Sequence, residues 1–343
     1  MKKSSTWTLV LRTVAISFLF SLLALLPLLA HAEALNINTP TRFAGFVKVD
    51  GSRAVYVDYL KPQAGEPTLV LLNGLTYNLG CFDAFVNQLK GHGFGILRYD
   101  PNGMGETLLR YAPSLAVVDY HSQVNDLAAL LDVLGLKDPV HVVGLSYGGG
   151  IAIEFAAAYP ERIATITSMA PYTEPLPGTD NVIKMDIQQT RIMSPFNPAT
   201  DDQLYAFFFH QIVYATYPSA EPIVLSNPFI LESVYNLGLG IRGMLIKDVV
   251  DNLPDGKFNL MVANQDEYVP ADTLSTLWNE TPVAKRGSRI FIEGTKHKMP
   301  ETIPAFAAEW VLRIVNGDPT LQGGHTFYGD ASTNTVRSTL PRR

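Results

Sequence analysis

Residues 144–148 read Gly-Leu-Ser-Tyr-Gly, a serine with a glycine two residues away on either side. The pentapeptide follows the apolar run Val140–Val143. It opens a Gly- and Ala-rich segment, Tyr147–Tyr159, that Pro160 ends. A strand that turns into a helix this abruptly strains the serine backbone, and the glycines leave room for neighbouring main chain. The same turn lifts the hydroxyl to the edge of a sheet and sets it at a helix N-terminus. There, N–H groups and the helix dipole favour developing negative charge. Ser146 is therefore a candidate nucleophile. A Gly-rich strand–helix turn without catalysis is the plainer alternative, and the flanking strand and helix weigh against it.

A serine hydroxyl is a poor nucleophile until a base takes its proton. Of seven histidines, His297 follows the run Arg289–Glu293 in a short loop, Gly294-Thr295-Lys296-His297, with a helical pattern after it. Parallel strands deliver their C-terminal loops to one edge of a sheet, so this loop would leave from the same edge as Ser146. His31 falls in an N-terminal leader, and His92 and His121 lie in an early loop and helix. His141 reads as a packed core residue inside a strand. His210 sits in the central segment, where it could touch substrate, and His325 lies near the end. The base needs a carboxylate to hold its tautomer and stabilise the imidazolium. Asn264-Gln265-Asp266-Glu267 leaves the strand-like run Phe258–Ala263, and either acid could serve. The chain order is then serine, acid, histidine.

Acyl transfer also needs donors for the oxyanion. Asn73-Gly74-Leu75-Thr76 follows the apolar run Thr68–Leu72, and a glycine there lets backbone approach a ligand closely. The main-chain N–H groups of Leu75 and Tyr147 are expected to converge on one carbonyl oxygen. Losing one such donor typically costs about two to three orders of magnitude in rate.

These positions imply a particular scaffold. Arg42–Val49 and Ser52–Leu60 read as strands joined through Asp50-Gly51, a strong hairpin signal. Short continuous apolar runs follow at Thr68–Leu72, Phe94–Tyr99, Val140–Val143, Arg162–Ala170, Phe258–Ala263 and Arg289–Glu293. Runs of this kind mark strands buried on both faces. Helical patterns lie between them at Phe82–Leu89, Asp119–Leu134, Tyr147–Tyr159 and Asp272–Trp278, and another closes the set at Ile303–Val315. Alternation of this kind predicts an α/β fold with a mostly parallel sheet and helices on both faces. It breaks between Pro171 and Asp251, which reads as an inserted helical cap. The expected organisation is residues 1–32 leader, 33–170 first part of the core, 171–251 cap, 252–316 second part of the core and 317–343 polar C-terminal tail.

With these motifs the chain resembles the α/β-hydrolase superfamily, in its cap-bearing, single-domain serine hydrolase and esterase branch, over about Phe43 to Val315. Asn73-Gly74-Leu75 stands where many relatives have His-Gly. Asp100-Pro101-Asn102-Gly103-Met104-Gly105 is similar to the family's D-x-R-G-x-G, with Asn102 in place of arginine. Asp266-Glu267-Tyr268-Val269-Pro270 resembles D-x-x-V-P, a likeness that favours Asp266 as the acid. His297, Pro300, Glu301 and Pro304 resemble the family's histidine region with shifted spacing. The resemblance implies Ser146, Asp266 and His297 as a catalytic triad and Leu75 and Tyr147 as oxyanion donors. Relatives that cleave carbon–halogen bonds or epoxides place aspartate at the elbow, so the serine here points to ester, thioester, amide or activated C–C substrates.

Composition agrees with an enzyme core. The chain has 343 residues, 47% hydrophobic and 17% charged, enough apolar material for a large interior. Its formal net charge of −6 and lack of a basic stripe argue against nucleic acid as a partner. Cys81 is the only cysteine, so no internal disulfide forms, and burial is its expected fate. No metal or organic cofactor is required by the chemistry. Lys2, Lys3 and Arg12 precede the apolar run Val14–Ala30, and Ala30-His31-Ala32 has the form of a cleavage site. A signal peptide and export to the periplasm or medium are expected, with no stable membrane span after cleavage; an uncleaved anchor is the alternative. The central segment is rich in large apolar groups, and Phe207, Phe208, Phe209 and His210 are candidate substrate contacts. Nothing in the pattern specifies an oligomeric state. The expected function is hydrolysis of carboxylic esters, with a small-molecule acyl substrate. An aminopeptidase or amidase is the alternative within the fold, and a non-catalytic binding protein is the alternative outside enzymes.

Overall fold

Valine- and leucine-rich runs too short for helices form the centre of the molecule. A computed structural model describes residues 41–339, apart from 52, 76, 112–117, 175–176, 206, 209–235, 238–239 and 241–245. The leader, Phe209 and His210 lie outside the described residues. Ten strands make one sheet: β1 Arg42–Lys48, β2 Ala54–Leu60, β3 Thr68–Leu72, β4 Gly95–Asp100, β5 Val140–Leu145, β6 Ile163–Met169, β7 Phe258–Ala263, β8 Arg286–Glu293, β9 His325–Asp330 and β10 Thr335–Thr339. Their order is β1-β2-β4-β3-β5-β6-β7-β8-β9-β10. Pairing is parallel from β4 through β3 to β9, and antiparallel at the two ends. Every residue of β3, β4, β5 and β7 is buried, as continuous apolar runs require when helices cover both faces.

The helices are α1 Asp83–Gln88, α2 Gly105–Tyr111, α3 Tyr120–Val133, α4 Tyr147–Ala158, α5 Pro177–Met193, α6 Ala271–Glu280, α7 Met299–Thr302 and α8 Pro304–Val315. Helix α4 packs across β5 and β6 and against α3, while α8 packs against α1. Helix α2 was not expected from the sequence. It begins inside the glycine-rich loop, where Asp100 Oδ2 accepts the Glu106 N–H at 2.9 Å and so supplies the missing N-terminal cap. In the central segment α5 buries Ile183 and Ile187 against Leu204, giving that segment a small core of its own.

The C-terminal stretch, read from the sequence as a polar tail, carries two strands of the sheet. Residues from His325 extend the sheet by two strands, β9 pairing in parallel with Ser288–Glu293. Only Phe327 and Gly329 of β9 are buried, so the strand carries almost no hydrophobic signal. Phe327 meets Trp310 of α8 edge to face at 5.1 Å. Any side chain at position 329 would lie 2.5 Å from the Phe306 ring.

Candidate active site

Ser146 sits between β5 and α4 with φ 54° and ψ −115°, a left-handed conformation that costs free energy for any residue but glycine. Its neighbours hold it there. The Ser146 N–H donates to Met169 O at 2.9 Å, and its carbonyl accepts from Gly150 N and Tyr172 N. The flanking glycines are sterically obligatory. A Cβ on Gly144 would lie 2.2 Å from Gly148 O, and one on Gly148 would lie 2.2 Å from Leu72 O. The chain can therefore turn from strand to helix only with hydrogen at both positions.

The loop after β3 runs beside this serine. A Cβ on Gly74 would be 3.5 Å from the Ser146 Cβ and 2.8 Å from the Tyr77 ring. Tyr77 N donates to Gly74 O, and Asn73 Nδ2 donates to Tyr77 O at 2.7 Å, so the tip of the loop is a closed turn. Asn73 thus stabilises its own loop through an amide. The N–H groups of Leu75 and Tyr147 donate to no other described residue. Beyond the turn, Leu79 N donates to Asp100 Oδ1 at 2.6 Å, and Arg98 reaches Leu79 O and Asp83. Asp100 therefore joins the loop after β3 to α2. Burial pushes its pKa up to about 7, against the downward pull of the two N–H donors. Asn102 presents its carbonyl to Gln123 Nε2 at 2.9 Å. Cys81 is buried under the same loop, and burial raises its thiol pKa.

His297 and Asp266 come together across two strand-end loops. The ring Nδ1 of His297 is 2.7 Å from Asp266 Oδ2. Asp266 Oδ1 accepts the N–H groups of Tyr268 and Val269, each at 2.8 Å, so both carboxylate oxygens are engaged. The Asp266 side chain is fully buried and that of His297 nearly so. An acceptor at Nδ1 keeps the proton on that nitrogen and leaves Nε2 free to accept another. Glu267 has a different job: its Oε2 accepts the His297 N–H at 3.3 Å, and its Oε1 pairs with Lys296 at 2.9 Å. Gln265 N bonds Thr295 O and Asn264 N bonds Ile292 O, stitching the acid loop to the histidine loop. Tyr268 lies edge-on to the imidazole at 5.0 Å.

The other described histidines are placed differently. His141 is buried with Nδ1 2.8 Å from Thr165 Oγ1, and burial, helped by Lys257, lowers its pKa to about 4. His92 stacks on Phe94, and His121 is mostly exposed. Of the aromatic candidates in the central segment, Phe208 packs against the Ile183–Ile187–Leu204 cluster, while Phe207 is 41% exposed. Two residues near the site went unassigned in the sequence, Tyr77 and Lys298. Tyr77 lies one residue past the quoted loop, and Lys298 directly follows the histidine.

A family model for the alpha/beta hydrolase fold matches residues 67–216. The chain is 31% identical over 138 residues to 2-hydroxy-6-oxononadienedioate/2-hydroxy-6-oxononatrienedioate hydrolase of Paraburkholderia phymatum, covering 38% of this chain and 46% of that protein. It is 34% identical over 103 residues to Lipase 1 of Psychrobacter immobilis, covering 30% of this chain and 31% of the lipase. The match thus spans less than half the length of these curated relatives. Among solved structures, a thermophilic esterase from Thermogutta terrifontis superposes with TM-score 0.58 at 19% identity, over 80% of this chain and 99% of the esterase. No described helix is long and apolar enough to cross a membrane. Family model, strand order and structural neighbours agree on the α/β-hydrolase fold for this chain.

Proposed function

We propose that the chain is a serine hydrolase acting on carboxylic esters, lipid-like or small, through an acyl-enzyme on Ser146. The observation that carries this reading is the buried His297, held by Nδ1 on Asp266 at 2.7 Å. Such a pairing fits a base that must become an imidazolium during reaction. Ser146 Oγ attacks the acyl carbon while His297 Nε2 takes the hydroxyl proton. The resulting tetrahedral oxyanion is received by the N–H groups of Leu75 and Tyr147. His297 returns its proton to the departing alkoxide oxygen as the acyl C–O bond breaks. Water, deprotonated by the same base, then releases the carboxylic acid and regenerates the serine. The lipase and the esterase among the similar proteins support an ester substrate.

A fluorophosphonate probe is expected to label Ser146, and a chromogenic ester to give a burst equal to the labelled fraction. Ser146→Ala should lose both. Turnover retained by Ser146→Ala would refute the mechanism, and faster turnover of aminoacyl amides than of esters would favour the amidase alternative. The same proposal includes export, with the leader removed after Ala32. Mass spectrometry of protein from a secretion-competent bacterial host should find Glu33 first, and a full-length, membrane-retained product would mean an anchor.

A further inference from the structure

Lys298 is an unusual neighbour for a catalytic histidine. Its side chain is almost wholly buried, although an ammonium is costly to remove from water unless it is paired. An uncharged methionine could fill the same volume without that cost. Nζ donates to Glu301 Oε2 at 3.1 Å and lies 4.4 Å from the centroid of the Tyr77 ring. Desolvation strengthens a cation held over an aromatic face. The ring it touches belongs to Tyr77, whose backbone N–H closes the turn onto Gly74 O, and Leu75 lies inside that turn. Gly74, beside Ser146, is thus hydrogen-bonded to Tyr77, whose ring carries the ammonium of Lys298, the residue that follows His297 in the chain.

We propose that Lys298 is a positioning residue. Its ammonium, held by Glu301 and seated on Tyr77, fixes the oxyanion loop relative to the histidine loop, so that the Leu75 N–H and His297 address one carbonyl group. The inference rests on the hydrolase reading for its kinetic consequence, though not for the structural tie itself. Misplacement of a reacting or stabilising group by about 1 Å can cost roughly 100-fold in rate.

The test uses the full chain and the double variant Lys298→Met with Glu301→Gln, which leaves no orphaned charge. Two quantities are read: amide hydrogen exchange in residues 73–77, and kcat and KM on a chromogenic ester. Exchange in 73–77 is expected to quicken by roughly tenfold. The kcat should fall by roughly 10- to 100-fold with KM little changed, as for an interaction made in the transition state. Lys298→Arg, which keeps a cation, should recover most of kcat. Should the double variant not fold, Tyr77→Leu removes the ring and is expected to produce the same two changes. Unaltered exchange in 73–77 in a folded variant would overturn the proposal. So would wild-type kcat, or an Lys298→Arg no better than Lys298→Met. If the wild-type chain neither hydrolyses esters nor takes the fluorophosphonate, the hydrolase reading falls, while the exchange measurement still decides the tie.

Discussion

Asp266 Oδ2 lies 2.7 Å from Nδ1 of His297, and its other oxygen is occupied by two backbone N–H groups. The carboxylate is thus fixed before it meets the imidazole, so ring orientation is set by main chain rather than by a mobile side chain. Glu267, one residue on, bonds the His297 backbone and Lys296 and so braces the loop without touching the ring nitrogens.

This division of labour predicts unequal effects. Asp266→Asn should lower kcat by about 10⁴, the loss typical when the orienting aspartate of a serine protease becomes an amide. Glu267→Gln keeps an acceptor for the His297 N–H and gives up a partly exposed ion pair with Lys296, so its effect should stay within about threefold. Steady-state kinetics on one ester ranks the two, and the reverse ranking would assign the orienting role to Glu267.

The elbow and the Gly74–Tyr77 turn should respond differently to a single methyl group. At Gly148 the new Cβ would sit 2.2 Å from a backbone oxygen of β3, which cannot move without disturbing the central sheet. Overpacking of this kind costs about 1–3 kcal/mol or more, so Gly148→Ala should lower the melting temperature by several degrees or prevent folding. At Gly74 the obstacle is the buried Tyr77 ring, a side chain rather than the backbone of the central sheet. Gly74→Ala is therefore expected to fold with a smaller loss of melting temperature than Gly148→Ala and to lose kcat. Equal thermal stability of the two variants would contradict the argument.

Glu154 on α4 sets a pH dependence for stability. Burial, with Asp119 adding to it, pushes its pKa up to about 7, and Oε2 bonds no described residue. The unfolded chain ionises this group near the ordinary glutamate value, so between that value and about 7 the folded state binds more proton. Stability therefore falls as pH rises through this window and levels off above it. Glu154→Gln removes the titration. It should match the wild type near about pH 4.5 and exceed it in melting temperature by a few degrees near about pH 8. A constant difference across that range would show that the carboxyl has the same pKa folded as unfolded.

Much of this site is legible in the sequence because chemistry and topology coincide there. Strands such as Val140–Leu145 are continuous apolar runs, and parallel pairing sends Ser146, Asp266 and His297 to one edge without knowledge of any side-chain contact. Spacing alone leaves Asp266 and Glu267 level, since both follow the same strand. Only the loop's fold turns one toward the ring and the other toward main chain. β9 stays hidden because two inward residues, Phe327 and Gly329, make no readable alternation. Lys298 is invisible for another reason: a buried lysine is explained only by its partners, and Tyr77 lies far away in the chain.

Helix α5 turns Ile183 and Ile187 inward onto Leu204, and Phe208 packs against that cluster. Arg191 ties the helix end to Asp201 and to the carbonyls of Asn197 and Ala199. A segment whose described core is this cluster is sensitive to loss of one ring. Truncating a fully buried Phe costs about 3–5 kcal/mol, and a half-buried one a fraction of that, roughly 1–2 kcal/mol. If the cap supplies the acyl-binding wall, Phe208→Ala should loosen that wall and shift the chain-length optimum on p-nitrophenyl esters. Each buried methylene is worth about 0.8 kcal/mol in an intact apolar site, so the optimum is a sensitive gauge of the wall's position. Phe207→Ala, at an exposed position, should shift it less. Labelling of Ser146 by a small probe should fall less than turnover of long esters, because the probe does not need the wall. A chain-length profile unchanged by Phe208→Ala would detach the cap from acyl recognition and leave specificity to the loops around Leu75 and Tyr268.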